Sequence, residues 1–296
     1  MKPPAFTYHR PASIEDALAI LTEVGAKGKV LAGGQSLVPM LNMRLAAPGH
    51  LVDINRLETL SYVRHDASAD AIRVGALTRH AAVERDDDAY AVLPLLRQAT
   101  AYIAHPAIRN RGTSVGSLVH ADPAAELPAV LSLLNGEITL AGQGGRRTVT
   151  AADFFTGPLE SAIRPGELAV EAVFPVPPAR TGSAWLEVSR RRGDYAVCGV
   201  GVLVTLDDGG LVSRARAAYV SVGPTPVTVE LTDAVTGQVW DAADWAGAGV
   251  LAAGAVDPED DIHATGAYRR HLVGVLTARA AKAAARHAVD HAGVPV

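Results

Sequence analysis

Two small-residue turns about eighty residues apart constrain this chain more than any other feature of its sequence. The first, Ala32-Gly33-Gly34-Gln35-Ser36, follows the short apolar run Val30-Leu31. The second, Thr113-Ser114-Val115-Gly116-Ser117, lies inside "RNRGTSVGSLVHADPAAELP". Glycine lacks a Cβ, so it adopts positive φ readily and lets another group approach the main chain closely. Successive amide N–H groups in such turns form an anion-binding concavity that needs no lysine. Neither turn has the G-x-G-x-x-G spacing of a Rossmann site or the G-K-[ST] of a P-loop, so those two nucleotide folds are disfavoured.

The second turn has a rival reading. Gly112 to Gly116 fits G-x-S-x-G, the elbow that exposes a hydrolase's nucleophile, with Ser114 in that role. An elbow requires a buried strand before it and a helix after it. Ile108-Arg109-Asn110-Arg111 is too charged for such a strand, and Ser117 to His120 are not expected to open a capped helix before Pro123. A serine hydrolase is therefore a remote alternative, and a plain surface turn another. A joint reading of the two turns explains more. A dinucleotide carries about two negative charges on its diphosphate, and burying them takes several directed donors. Gln35 and Ser36 add neutral donors to the first turn; Thr113, Ser114 and Ser117, with the amides around Gly116, add them to the second. Loops this poor in Lys and Arg favour a cofactor held by geometry over one held by bulk charge.

The 296 residues suit one large or two to three small domains, and 49% hydrophobic content is enough for a sizeable core. Charged residues make up 20%, which argues against disorder, and a net charge of −4 implies no general attraction to nucleic acid or anionic membranes. No segment reaches the roughly 20 uninterrupted apolar residues needed to cross a bilayer. "MKPPAFTYHRPAS" lacks the apolar core of a signal peptide, so a cytoplasmic location is expected. Cys198 is the only cysteine, which excludes an internal disulfide and any cluster held by four thiolates of this chain. Iron–sulfur chemistry, if involved, must come from another polypeptide.

Along the chain, Ser13 precedes apolar residues at helical spacing, and Gly25 supplies the stop. Strands are expected at 29–31, 50–54 and 71–77, with Thr78 capping a short helix over 79–86 and a longer helix over about 91–104. Pro123 is expected in the first turn of a helix closed by Asn135-Gly136, followed by a strand over 137–142, and the run "ELAVEAVFPVP" over 167–177 ends this region. The proline-containing stretch from Pro175 to Gly182 is the best domain boundary. A hairpin around Asp207-Asp208-Gly209-Gly210 and a long helix over 267–289 complete the chain. Helices and strands alternate first and a hairpin-plus-helix unit follows, so the class is α+β. His287 and His291 stand four apart with Asp290 between them, but two ligands make a solvated helix face the simpler reading, and no metal site is assigned. Arg190-Arg191-Arg192 reads as a solvent-facing strand end, and Asp86-Asp87-Asp88 as a helix end or loop.

"YHRPAS", "LAGGQSLVPMLNMRLAAPGHLVDI", "AIRNRGT..GSLVHADPAAELPAVL" and "RRRGDYAV", in this order, resemble the FAD-binding medium subunit of molybdenum hydroxylases, the carbon monoxide dehydrogenase and xanthine dehydrogenase type. The resemblance runs over nearly the whole chain. It implies a FAD-binding domain over 1–177 in two lobes, about 1–56 and 57–177, like that of vanillyl-alcohol-oxidase-type (PCMH-like) flavoproteins. A smaller α+β domain over 178–296 would follow. It assigns FAD contacts to Ala32, Gly33, Gly34, Gln35 and Ser36, and to Thr113, Ser114, Val115, Gly116 and Ser117. Asp122 belongs to the same segment, and Tyr195 matches a position close to the isoalloxazine ring. The family further implies a large molybdenum-cofactor subunit and a small iron–sulfur subunit as partners, in a dimer of heterotrimers. Electrons would pass from the clusters through FAD to an acceptor, with no catalytic acid or base in this chain. A stand-alone flavin oxidoreductase and a degenerate non-enzymatic module are the alternatives on the same fold.

One departure from the family pattern stands out. The second loop is usually Thr-Ile-Gly-Gly followed by Ser or Asn, whereas Ser114 and Val115 here replace the Ile and the first Gly. A β-branched residue resists positive φ, so either the loop has relaxed into an allowed region or Val115 crowds the diphosphate. On the second view Val115→Gly should tighten flavin retention.

Overall fold

The computed structural model describes residues 2–291, without the side chain of His291. Three sheets organise the chain, each in its own stretch of sequence. The first holds β1 (Thr7–His9), β2 (Gly28–Leu31) and β3 (His50–Asp53), all parallel, in the order β1-β3-β2. The helix Ile14–Val24 crosses between β1 and β2. Ser13 starts it by accepting the Asp16 amide at 3.0 Å, and Gly25 at φ +52° ends it, both as expected. It buries Ala17 and Leu21.

The second sheet is antiparallel. It contains β4 (Val63–Asp66), β5 (Ala71–Gly75), β6 (Glu137–Gly142) and β7 (Gly145–Thr150). After the small hairpin of β8 (Phe155–Gly157) and β9 (Glu160–Ser161), β10 (Leu168–Pro175) inserts between β5 and β6. The central place of β10 accounts for its near-continuous apolar sequence: Leu168, Ala169, Val170, Ala172, Val173 and Phe174 are all buried. One apolar core runs from the first sheet through the second and into the helices between β5 and β6.

The third sheet, β11 (Thr181–Ser189), β12 (Ala196–Leu206), β13 (Val212–Val220) and β14 (Val227–Glu230), is an antiparallel meander. Helix Gly266–His291 covers it with Ala280, Ala281, Ala284, Ala285 and Ala288. These small side chains allow such close approach that a Cβ on Gly182 would stand 2.0 Å from the Ala284 carbonyl oxygen. A second apolar core lies beneath this helix. The antiparallel second and third sheets, with helices segregated around them, make the class α+β, as the sequence implied.

Four local expectations need correction. Thr78 does not cap the helix His80–Arg85; its hydroxyl bonds the Tyr62 carbonyl at 2.6 Å and accepts the Tyr62 amide at 3.0 Å. The helix expected over 91–104 breaks at Leu93 (φ −139°) into Asp87–Val92 and Pro94–Thr100, because Pro94 is usable at a helix start and not in an interior. The helix expected to begin at Pro123 begins at Glu126; Asp122 instead holds the turn by accepting the Ala124 amide at 2.9 Å. Finally, Ser114–His120 is a helix, against the expectation that none would follow the second turn. Thr113 caps it by accepting the Gly116 amide at 3.2 Å.

Candidate functional site

The two turns meet. A Cβ on Gly33 would lie 2.5 Å from the Arg111 carbonyl oxygen, 2.7 Å from Gly112 Cα and 3.0 Å from the Thr113 nitrogen. Only a residue without a side chain lets the first loop rest on the second at this distance. Gly34 supplies the bend itself, at φ +71°. The chain then enters the helix Leu37–Asn42, while the Gln35 side-chain amide turns back to the Gly33 carbonyl at 2.9 Å. Gln35 is thus tied to its own loop rather than simply extended as a donor.

Beyond the contact opens a cleft of about 700 Å³. Ala32, Gly33, Gly34, Gln35 and Ser36 line it from the first lobe, and Thr113, Val115, Gly116, Ser117 and Asp122 from the second. Tyr195 reaches the rim from the third sheet, 72% exposed, on the turn between β11 and β12. That turn is seated by Gly193 at φ +85°, where a Cβ would meet the His105 ring at 2.5 Å. Arg190, Arg191 and Arg192 point to solvent on the same turn, as the sequence suggested. Of the residues that the resemblance assigns to FAD, all but Ser114 line this one cleft; Ser114 is buried behind the wall.

Ser114 and His80 form a buried pair, Oγ to Nδ1 at 3.3 Å, which is a hydrolase-like juxtaposition. It lacks the rest of that machinery. The preceding segment is the helical turn Pro106–Arg109 in place of a strand, and no carboxylate bonds His80 among the described residues. Burial and the nearby Arg109 push the His80 pKa down to about 4, so the ring is neutral at physiological pH. A nucleophile at 1% exposure meets no substrate.

The doubt about Val115 also changes form. Val115 sits in the first turn of the helix Ser114–His120, outside the positive-φ region, with its side chain 2% exposed in the core shared by both lobes. The loop has relaxed into an allowed conformation, and the steric reason for Val115→Gly to tighten flavin retention falls away.

Sequence reasoning missed three contributors to the cleft. Glu126, 8% exposed on the wall, is one; burial first and Glu187 second raise its pKa to about 8. Its signal was present in "HADPAAELP", but a carboxylate opening a helix is ordinary and nothing marked it as buried. The second is the Leu159 to Leu168 segment, which closes the far side with Arg164, Pro165 and Gly166. The third, Arg79, lies outside the lining and bonds the Arg111 carbonyl just before the second turn. His287, considered for a metal, accepts the Ser183 amide at 3.0 Å through Nδ1; the side chain of its neighbour His291 lies outside the described residues.

Glu126 carries a pH prediction. A carboxyl whose folded pKa is raised favours the fold below its unfolded value, and this contribution is lost as pH climbs from about 4.5 through about 8. Glu126→Gln should therefore melt at the same temperature as the parent near pH 4.5 and several degrees above it at pH 8. Parallel melting curves across that window would refute the assignment.

Comparison with known proteins identifies two family models in order: "FAD binding domain in molybdopterin dehydrogenase" over residues 4–177 and "CO dehydrogenase flavoprotein C-terminal domain" over 183–284. The chain is 42% identical over 280 residues to the 6-hydroxypseudooxynicotine dehydrogenase complex subunit alpha of Paenarthrobacter nicotinovorans, covering 94% of each. It is 36% identical to the carbon monoxide dehydrogenase medium chain of Afipia carboxidovorans, covering 96% of this chain and 98% of that one. Among solved structures, carbon monoxide dehydrogenase from Hydrogenophaga pseudoflava superposes with a TM-score of 0.91 at 35% identity, over 97% of this chain and 99% of the other.

Proposed function

Because the chain belongs to the FAD-binding medium subunits of molybdenum hydroxylase complexes, we propose that it carries electrons between partner iron–sulfur clusters and an external acceptor. The flavin, when bound, supplies the redox chemistry, and the protein supplies its placement and surroundings. The observation that carries the reading is the contact of the two turns at Gly33 over a cleft lined from both lobes.

The lining fits the cofactor. The cleft draws residues from the first two sheets and from the turn between β11 and β12, and its two small-residue turns leave the main chain accessible. Ala32 to Ser36 and Thr113 with Val115 to Ser117 would hold the diphosphate end by directed donors; Asp122 and Tyr195 would face the ring end. Ser114, which the resemblance groups with them, would act from behind by fixing the loop through His80. The partners implied are a large molybdenum-cofactor subunit and a small iron–sulfur subunit. In this division of labour no side chain here performs acid–base chemistry on the organic substrate. Cys198 is buried, and burial pushes its thiol up to about 12, away from the thiolate that nucleophilic chemistry uses.

The test is direct. The purified chain should be yellow, release FAD on denaturation at one per chain, and fail to oxidise organic substrate without its partners. A colourless chain that stays colourless with added FAD would overturn the cofactor site, and substrate turnover by the chain alone would overturn the division of labour.

A further inference from the structure

Segment Thr78-Arg79-His80 runs antiparallel to Gly112-Thr113-Ser114 and fixes the second loop. The His80 amide donates to the Gly112 carbonyl at 3.1 Å, the Ser114 amide to the Thr78 carbonyl at 3.0 Å, and Arg79 faces Thr113 across the bridge. The Arg79 side chain then does something the backbone does not. One guanidinium nitrogen donates to the Arg111 carbonyl at 2.5 Å, and the other to Asn55 Oδ1 at 2.7 Å. Asn55 in turn donates from Nδ2 to the Ala32 carbonyl at 2.8 Å and to Asp53 Oδ1 at 2.7 Å. Asp53 is held at its other oxygen by the Tyr8 hydroxyl. An unbroken chain of hydrogen bonds thus runs from the carbonyl that opens the first turn to the carbonyl two residues before Thr113.

Resting on the FAD reading above, we propose that Arg79 is a positioning residue: with Asn55 it sets the spacing and tilt of the two cofactor loops without touching the cofactor. Both carbonyls it commands lie at the loop junction: Ala32 directly precedes Gly33, and Arg111 O is the atom of the second loop that a Cβ on Gly33 would meet first. A planar guanidinium holds two acceptors in fixed relation; an ammonium is a single point of charge and does not. The role therefore depends on the fork and not on the charge, which is the difference the test uses. A cleft whose two walls are pre-aligned loses less on binding than one that must be aligned by the ligand.

The experiment compares FAD dissociation constants, by flavin fluorescence titration, and apo-protein melting temperatures for wild type, Arg79→Lys, Asn55→Ala and the double variant. Arg79→Lys and Asn55→Ala should each weaken FAD about ten-fold or more, the scale of a hydrogen bond to a charged group. The double variant should be no weaker than the worse single one, because both break one linkage. Apo melting temperatures should remain within a few degrees, which a purely structural arginine would not allow while changing affinity this much. Wild-type affinity in Arg79→Lys would show that charge alone matters, and additive losses in the double variant would show two independent effects; either overturns the proposal. A wild-type chain that takes up no FAD would instead overturn the cofactor reading itself.

Discussion

Gly33→Ala is expected to fold and to emerge with little or no flavin. Its new methyl group would have to occupy space now filled by the Arg111 carbonyl, Gly112 and Thr113, all main chain and none able to rotate away. Overpacking of this kind costs about 1–3 kcal/mol. Because the clash lies at the junction of the two loops, that cost appears chiefly as lost alignment of the cleft. FAD should bind roughly 5- to 150-fold more weakly. Gly144→Ala is the control, since a Cβ there meets nothing within 4 Å. Flavin content equal to wild type in purified Gly33→Ala would mean that the loop contact has no bearing on the cofactor.

Val115→Gly should lower stability and leave flavin no more tightly held. The substitution removes a buried side chain from the core shared by both lobes and places glycine inside a helix. Burial of a valine is worth about 1.5–3 kcal/mol, and glycine in a helix costs about 1 kcal/mol relative to alanine. The sum, about 3 kcal/mol, corresponds to a fall of roughly 6–12 °C in melting temperature for a chain of this size. The measurement is a thermal melt of the apo protein together with a flavin titration. A variant that melts like wild type and binds FAD more tightly would restore the crowding argument that the family pattern first suggested.

What was legible in the sequence follows from which interactions are local. The strand runs, the Ser13 cap, the Gly25 stop and the hairpin around Asp207–Gly210 are fixed by neighbours within a few residues, and they appear where expected. Both cofactor loops were visible for a related reason: consecutive small residues announce close approach even when the approaching group is unknown. Thr113 was read as a ligand donor, whereas its hydroxyl also caps a helix; the usual Glu or Gln three residues on is replaced by Gly116, so the capping signal was faint. The break at Pro94 lay in plain view in "AVLPLLR" and lost to an apparent periodicity that spanned two helices. Arg79 was illegible for a deeper reason. Its partners Arg111 and Asn55 lie 32 and 24 residues away in sequence, and their convergence exists only once both lobes have folded. The raised pKa of Glu126 belongs to the same class, since it needs the packing of its helix against the third sheet and the charge of Glu187, 61 residues away on that sheet.

The first lobe is thin. Of its three strands only β3 is well covered, at Leu51 and Val52; β1 is mostly exposed and β2 is nowhere fully buried, and its inward side chains join a core that belongs mainly to the second lobe. Such a unit contributes few apolar contacts of its own and ranks low in local stability. Any molecule clasped between the lobes therefore spends part of its affinity on fastening the amino-terminal 50-odd residues to the rest. Uptake of the prosthetic group and the last act of folding become a single equilibrium, and loss of one is the first stage in loss of the other.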